Sequence, residues 1–259
     1  MKKTALITGA SAGLGVEFAK NFARDGHNIV LAARRTERME QIAEELMKKH
    51  GVEIKVLGKD LSNMDEVQSV FETLQRDNIH IDFLVNNAGF GDWGNFHESD
   101  WAKIEGMLDL NIKALTKLTY LFMKPMIQKG EGKILNVASM AAFQPGPLMA
   151  VYYATKAFVL SFSEAISNEI KGTGVSVTIL CPGPTESEFQ NVANLGKSKL
   201  FKHTRIPSSK EVADFGYREM MKGSLTVVPG FLNKLVVQSV RFSPRKLVLK
   251  IARKIQERE

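Results

Sequence analysis

Short apolar and β-branched runs recur along this chain, each followed by a segment of helical periodicity. They are TALIT (4–8), NIVLAA (28–33), EIKVLG (53–58), IDFLVN (81–86), KILNVA (133–138), VSVTIL (175–180) and LTVVP (225–229). Most are continuous rather than alternating, the pattern of parallel strands covered on both faces. Between them, RRTERMEQIAEELMKKH (34–50) sets Met39, Ile42, Ala43 and Leu46 in one stripe. SNMDEVQSVFETLQ (62–75) opens on Ser62 or Asn63 as an N-cap, with acidic residues in its first turn. This alternation predicts an α/β fold, a doubly wound parallel sheet in a single domain.

With 259 residues, 44% of them hydrophobic, the chain can bury the core of such a domain. No apolar run reaches membrane-spanning length. The opening MKKTALITGAS has two lysines but only ALI before a glycine, too short for the apolar region of a signal peptide. The single cysteine, Cys181, can form neither an intrachain disulfide nor a multi-cysteine metal site, and reads as a buried thiol. No metal is expected, and the protein reads as cytoplasmic. The net charge of +7 is concentrated at one end: the last nineteen residues hold seven Lys or Arg against two Glu. The rest is close to neutral and carries no nucleic-acid motif, so no nucleic-acid partner is expected.

The first strand runs into TGASAGLG, Thr8 to Gly15, and then into a helix. Glycines there allow a tight turn and a close approach to a pyrophosphate at the helix N-terminus. The spacing is G-x-x-x-G-x-G rather than G-x-G-x-x-G, and its position after the first strand is what makes it informative. The second strand ends LAARR (31–35), where an acid would bind a ribose 2′-hydroxyl. Ala33 stands there instead, followed by Arg34 and Arg35. Missing acid and paired guanidinium groups both point to a 2′-phosphate, hence NADP(H).

Past the middle of the chain, VYYATKAF (151–158) places Lys156 three and four residues after two tyrosines. On a helix either Tyr152 or Tyr153 could share a face with it.

Taken in order, TGASAGLG, NNAG (86–89), Asn111 in DLNIKA, Ser139 in NVASMAA, YYATK and CPGPTESEF (181–189) resemble the short-chain dehydrogenase/reductase family over roughly the first 190 residues. The resemblance implies a Rossmann-type sheet of about seven parallel strands and an NADP-preferring oxidoreductase. The family's Tyr-x-x-x-Lys motif selects Tyr152 with Lys156, and Ser139 stands at the usual family separation before the tyrosine. Tyr152 is then general acid in reduction and base in oxidation. A lysine ammonium beside the phenol and the positive charge of the oxidised nicotinamide both favour the ionised form of a group whose pKa is otherwise ~10. Lys156 would also hold the nicotinamide ribose, Ser139 the substrate oxygen, and Asn111 a water relay to Lys156. Alone, Ser139 would read as a strand-end cap and Asn111 as a satisfied helix amide. Tyr153 receives no catalytic role and is expected to face a subunit contact or support the helix.

By the same resemblance Gly9, Ser11, Gly13, Leu14 and Gly15 contact the cofactor, as do Arg34 and Arg35. Asp60 with Leu61 would border the adenine, Asn87, Ala88 and Gly89 the cofactor through their backbone, and Pro182, Gly183, Thr185 and Ser187 the carboxamide. FGDWGNFHESDW (90–101), MAAFQPGPLM (140–149) and the segment after Phe189 are expected to line the substrate pocket, with Phe90, Trp93, Met140, Phe143 and Met149 making it apolar. The implied substrate is an apolar carbonyl or alcohol, such as a lipid- or steroid-like ketone, and the implied assembly a homodimer or homotetramer built on the helices near Asn111 and Tyr152. A dinucleotide-binding sensor without catalysis is the alternative, opposed by the intact Asn111–Ser139–Tyr152–Lys156 set; a Rossmann methyltransferase would leave the tyrosine–lysine pair without purpose.

Residues 1–230 are thus expected to form the dinucleotide domain and 231–259 a basic amphipathic extension. After Pro244, Leu247, Val248, Ile251, Ala252 and Ile255 fall on one helical face, and Arg245, Lys246, Lys250, Arg253 and Lys254 on the other, with Leu249 misplaced. Such a helix is expected either to pack on its own subunit or its mate, or to touch a membrane surface peripherally.

Overall fold

Continuous apolar runs pair side by side because each must be covered on both faces. In the computed structural model, which describes residues 2–189 and 206–257, seven of them form one all-parallel sheet in the order β3-β2-β1-β4-β5-β6-β7. The strands are β1 (Thr4–Thr8), β2 (Asn28–Ala33), β3 (Ile54–Gly58), β4 (Phe83–Asn86), β5 (Gly132–Val137), β6 (Val175–Leu180) and β7 (Thr226–Val227). Every expected run became a strand, and β7 is the one most shortened. Leu225 still accepts a ladder hydrogen bond from Ile179 N at 2.7 Å, and Pro229 lies just beyond.

The connecting helices are α1 (Gly13–Arg24), α2 (Thr36–His50), α3 (Met64–Arg76), α4 (Trp101–Leu108), α5 (Leu115–Lys129), α6 (Ala150–Glu169) and α7 (Ser209–Lys222), followed by α8 (Phe231–Phe242) and α9 (Arg245–Gln256). Of the two N-cap candidates for α3, Asn63 caps it, its side chain accepting from Asp65 N at 2.9 Å. Gly51, with φ of 64°, ends α2 in the left-handed conformation that glycine adopts without strain.

The two-residue period of the strands sorts the core into two layers. Ala5 and Ile7 of β1 face Phe18 and Phe22 of α1 and, with Leu31, Val137 and Leu180, meet α2 and α7. Leu6 faces the opposite layer with Val30, Leu84, Ile134 and Val177, under α3 and α5. All these side chains are buried, and each one larger than Ala5 contributes about 1.5–3 kcal/mol relative to exposure. Helix α7 locks onto α1 through polar contacts as well: Tyr217 Oη donates to Asp25 at 2.7 Å and Asn21 to Asp214 at 2.9 Å.

Because all strands run one way, their C-terminal ends open on the same edge of the sheet. The chain reverses its winding between β1 and β4, and ligands bind outside the strand ends at such a switch point.

Candidate active site

Thr8, the last residue of β1, organises this edge. Its hydroxyl donates to Val85 O at 3.2 Å and accepts from Asn87 N and Ala88 N, both at 3.0 Å. The Asn87 amide returns to Thr8 O at 2.9 Å and Gly9 O at 3.3 Å. The glycine loop is thereby tied to the end of β4. A Cβ on Gly9, whose φ is +65°, would lie 2.9 Å from Ala88 Cα, and one on Gly15 would lie 2.3 Å from Gly9 O. No side chain caps α1, so its first N–H groups are free to meet an anion.

A cleft of about 580 Å³ runs from this loop across the strand ends. Ser11, Gly13, Leu14, Arg34, Arg35, Asp60 and Leu61 line one end, with Lys59. Asn87, Ala88 and Gly89 form the middle, and Pro182, Gly183, Thr185 and Ser187 the far side with Ser139, Tyr152 and Lys156. Of the catalytic and cofactor-binding residues predicted from sequence only Gly15 and Asn111 stand behind the wall rather than on it. Gly15 keeps helix and loop in contact, and Asn111 braces the cleft from a π-helical segment, Asp109–Ala114. Its amide donates to Phe90 O at 2.9 Å and Thr155 Oγ1 at 3.1 Å while Phe90 N donates back at 3.1 Å. Insertions of this kind recur at functional sites because they re-aim one turn of helix.

The two tyrosines separate cleanly. Tyr152 faces the cleft, its ring 5.3 Å from that of Phe189, and Ser139 hydrogen-bonds its phenol. Burial pushes the Tyr152 phenol above its ordinary range, with the Ser139 bond opposing the shift. Burial also lowers Lys156, to about 8. The expectation that the ammonium would ease the phenol's ionisation is not met in this geometry. Lys156 Nζ donates to Val137 O at 2.8 Å and sits 5.7 Å from the centre of the Tyr152 ring. Desolvation outweighs any attraction there, so the phenol keeps its proton at neutral pH.

Tyr153 does not point to an exposed subunit contact. It is 8% exposed, lines the same cleft, and its hydroxyl accepts from Gln256 Nε2 of α9 at 2.5 Å. Trp93 Nε1 donates to the Gln256 carbonyl at 2.9 Å, so the C-terminal helix is pinned over the substrate end. Val236, Ala252, Ile255 and Gln256 line it. Phe90, Met140 and Met149 line the cleft as expected, whereas Trp93 packs against the Ala141, Met149 and Tyr153 cluster and Phe143 against a neighbouring one. The expected contribution of the segment after Phe189 lies outside the described residues beyond that phenylalanine.

At the other end Arg34 is largely exposed, its guanidinium 4.0 Å from Asp60. Although burial opposes it, hydrogen bonds from the Ser62 hydroxyl and backbone hold the Asp60 carboxyl below its usual range. Arg35 is engaged: Nε donates to Ser11 Oγ at 3.1 Å and Nη1 to Glu188 at 2.8 Å. Arg38 joins it on Glu188 at 2.5 Å. Sequence reasoning missed Arg38, Glu188 and Gln256; the spacing of Arg34, Arg35 and Arg38 at the start of α2 was the available signal for the first.

The pattern of the short chain dehydrogenase family matches residues 3–197. The chain belongs to that family. Its relatives include sulfoacetaldehyde reductase 2 of Chromohalobacter salexigens, 36% identical over 220 residues that cover 83% of this chain and 86% of that one. A 7β-hydroxysteroid dehydrogenase of Mediterraneibacter gnavus is 29% identical over 234 residues, covering 90% and 88%. Among solved structures, a short-chain dehydrogenase from Sphingobium yanoikuyae in complex with NADPH superposes with a TM-score of 0.84 at 31% identity, covering 93% of each chain. This short-chain dehydrogenase is therefore an oxidoreductase, and its cleft fits the family's nicotinamide dinucleotide: a glycine cradle that a Cβ would fill, an uncapped helix terminus and a Tyr–Lys pair at the far end.

One pH dependence follows from Lys156. Its native pKa of about 8 lies below the ordinary lysine value of 10.5, so the free enzyme loses this charge as pH rises through about 8. The kcat/KM for the dinucleotide, which reports groups of the free enzyme, should fall along that limb. Lys156→Arg, whose charge does not titrate there, should show a lower but flat profile; a limb that persists in the variant would assign it to another group.

Proposed function

We propose that this chain is an NADP(H)-dependent carbonyl reductase or alcohol dehydrogenase acting on a neutral, largely apolar ketone or aldehyde. The observation that carries the reading is one cleft with Tyr152, Ser139 and Lys156 at one end and Arg34 and Arg35 at the other. When bound, the dinucleotide supplies the hydride. Tyr152, kept protonated by burial, donates its phenolic proton to the carbonyl oxygen as negative charge develops there. Ser139 hydrogen-bonds the same oxygen and aligns it. Lys156 holds the ribose, and Asn111 anchors a water that connects to it. Arg34 binds the 2′-phosphate, with Arg35 adding to it from its Ser11 and Glu188 contacts.

Around Tyr152 the walls are Phe90, Met140, Met149, Tyr153, Phe189 and Ile255. Among the described residues no Lys, Arg or His other than Lys156 lines that end. Among the described residues an anionic substrate such as the one named for the sulfoacetaldehyde reductase meets no counter-charge at that end, which favours a steroid-like neutral ketone. NADPH oxidation by a panel of bulky ketones, small aldehydes and sulfoacetaldehyde tests this. Bulky ketones should turn over fastest and Tyr152→Phe should abolish turnover with cofactor binding nearly intact, while Tyr153→Phe keeps most activity. Crippling by the second substitution alone would overturn the assignment, and preference for sulfoacetaldehyde the substrate class.

Arg34→Ala should weaken NADPH far more than NADH, by about 1.5–3 kcal/mol for one charge-assisted contact. Equal losses would remove the NADP preference, and Arg35→Ala should show a smaller loss of the same sign.

The molecule is proposed to be a homo-oligomer through α5 and α6. Tyr120 and Ile127 on α5 and Phe158 on α6 are exposed, and Phe158 stacks on Phe162 at 5.7 Å. Light scattering should give a multiple of 28.8 kDa; a monomer mass at all working concentrations would dismiss it.

A further inference from the structure

Helices α8 and α9 carry nine of the sixteen large apolar side chains exposed among the described residues. On α8, Phe231, Leu235 and Phe242 form one ridge, with Leu232 beside it; Phe242 is 87% exposed. On α9, core packing uses one row, Val248, Ala252 and Gln256. The adjacent row at the same four-residue spacing, Leu247, Ile251 and Ile255, faces outward. The helix is thus apolar over a wider arc than its own subunit covers.

Charge on these two helices has one sign. From residue 220 to 256 there is no Asp or Glu, and there are eight Lys or Arg. Among the described residues Lys234, Arg241, Arg245, Lys246, Lys250 and Lys254 make no ion pair, and Arg253 reaches only Glu257 at 3.3 Å. The basic arc of α9 borders its exposed apolar row, with Lys254 and Lys250 next to Leu247 and Ile251 around the helix. The patch also continues into the cleft, because Val236 and Ile255 are both exposed and cleft-lining.

We propose that the α8–α9 segment docks peripherally on an anionic lipid bilayer, its outward apolar rows among the lipids and its lysines and arginines on their phosphates. A lipid surface offers apolar depth and negative charge together, which this patch requires. A twofold contact between copies of the patch would instead oppose like charges with no acid in the segment to pair them. No helix among the described residues is long and apolar enough to cross a membrane, in keeping with a contact at the surface. Docking this way sets the rim formed by Val236 and Ile255 against the lipid, so an apolar substrate reaches Tyr152 without crossing water. That consequence rests on the reductase reading above; docking itself does not.

The test is co-sedimentation of the full-length protein, without substrate, with vesicles of phosphatidylcholine alone or mixed with phosphatidylglycerol, at low and high salt. Binding to the mixed vesicles at low salt should exceed that to phosphatidylcholine by more than about tenfold and be lost at high salt. Lys250→Glu with Lys254→Glu should abolish it, as should Phe231→Ser with Leu232→Ser and Phe242→Ser, with turnover of a water-soluble ketone unchanged in both. Three results would each overturn the proposal: no pelleting with mixed vesicles at low salt, undiminished pelleting of the charge-reversed variant, or a drop in light-scattering mass of the serine variant, which would make the patch a subunit contact. Because vesicle binding is read without turnover, its failure leaves the reductase reading standing.

Discussion

One hydroxyl, that of Thr8, ties together the two strands between which the chain reverses its winding. Only 2% exposed, it serves Val85 as donor and Asn87 and Ala88 as acceptor, so the glycine loop and the end of β4 move as one piece. The cleft floor depends on that junction. Beneath it a second buried chain runs from Thr119 through Asn86 and Asn136 to Ser163, bonding α5, β4, β5 and α6 at 2.8–3.0 Å. Helix α6 carries Tyr152 and Lys156, so their position relative to the loop is set through polar contacts in a low-dielectric core, where satisfied bonds rigidify and unpaired ones are costly.

Each active group is then placed by an element from another part of the chain. Leu148, in a left-handed conformation with φ of 69°, accepts from Gly94 N at 2.9 Å and so fixes the substrate loop against the start of α6. Such a backbone costs a leucine about 1–2 kcal/mol, a strain the surrounding packing must hold. On the other side, Trp93 and Tyr153 fasten Gln256, and the last helix becomes a wall of the site rather than an appendage. The extension expected from residue 231 onward is continuous with the catalytic cleft through these two hydrogen bonds.

Much was legible in sequence because it is local. Strand runs, the glycine loop and a cap of α3 at Ser62 or Asn63 are fixed by backbone chemistry over a few residues. The choice between Tyr152 and Tyr153 was not local, since both share a face with Lys156 within helical spacing. Resemblance selected Tyr152, and packing tells the two apart: Gln256, 103 residues away, occupies the Tyr153 hydroxyl, while Tyr152 opens to the cleft beside Ser139. Similarly, Arg34 and Arg35 look equivalent in sequence. Glu188, 153 residues from Arg35, engages it and leaves Arg34 exposed.

The amphipathic tail divides the two kinds of information most sharply. Its helical period, its basic arc and its excess of basic over acidic residues were determined by the sequence alone, because they depend only on which residues are present and which recur at three and four. Which apolar row would be buried was decided by tertiary structure. Val248, Ala252 and Gln256 turn inward because Tyr153 and Trp93 offer hydrogen bonds to Gln256 there, and Leu247 and Ile251 are left facing out. Periodicity defines a face, but only a partner from elsewhere in the chain supplies the surface and the hydrogen bonds that choose which part of that face leaves water.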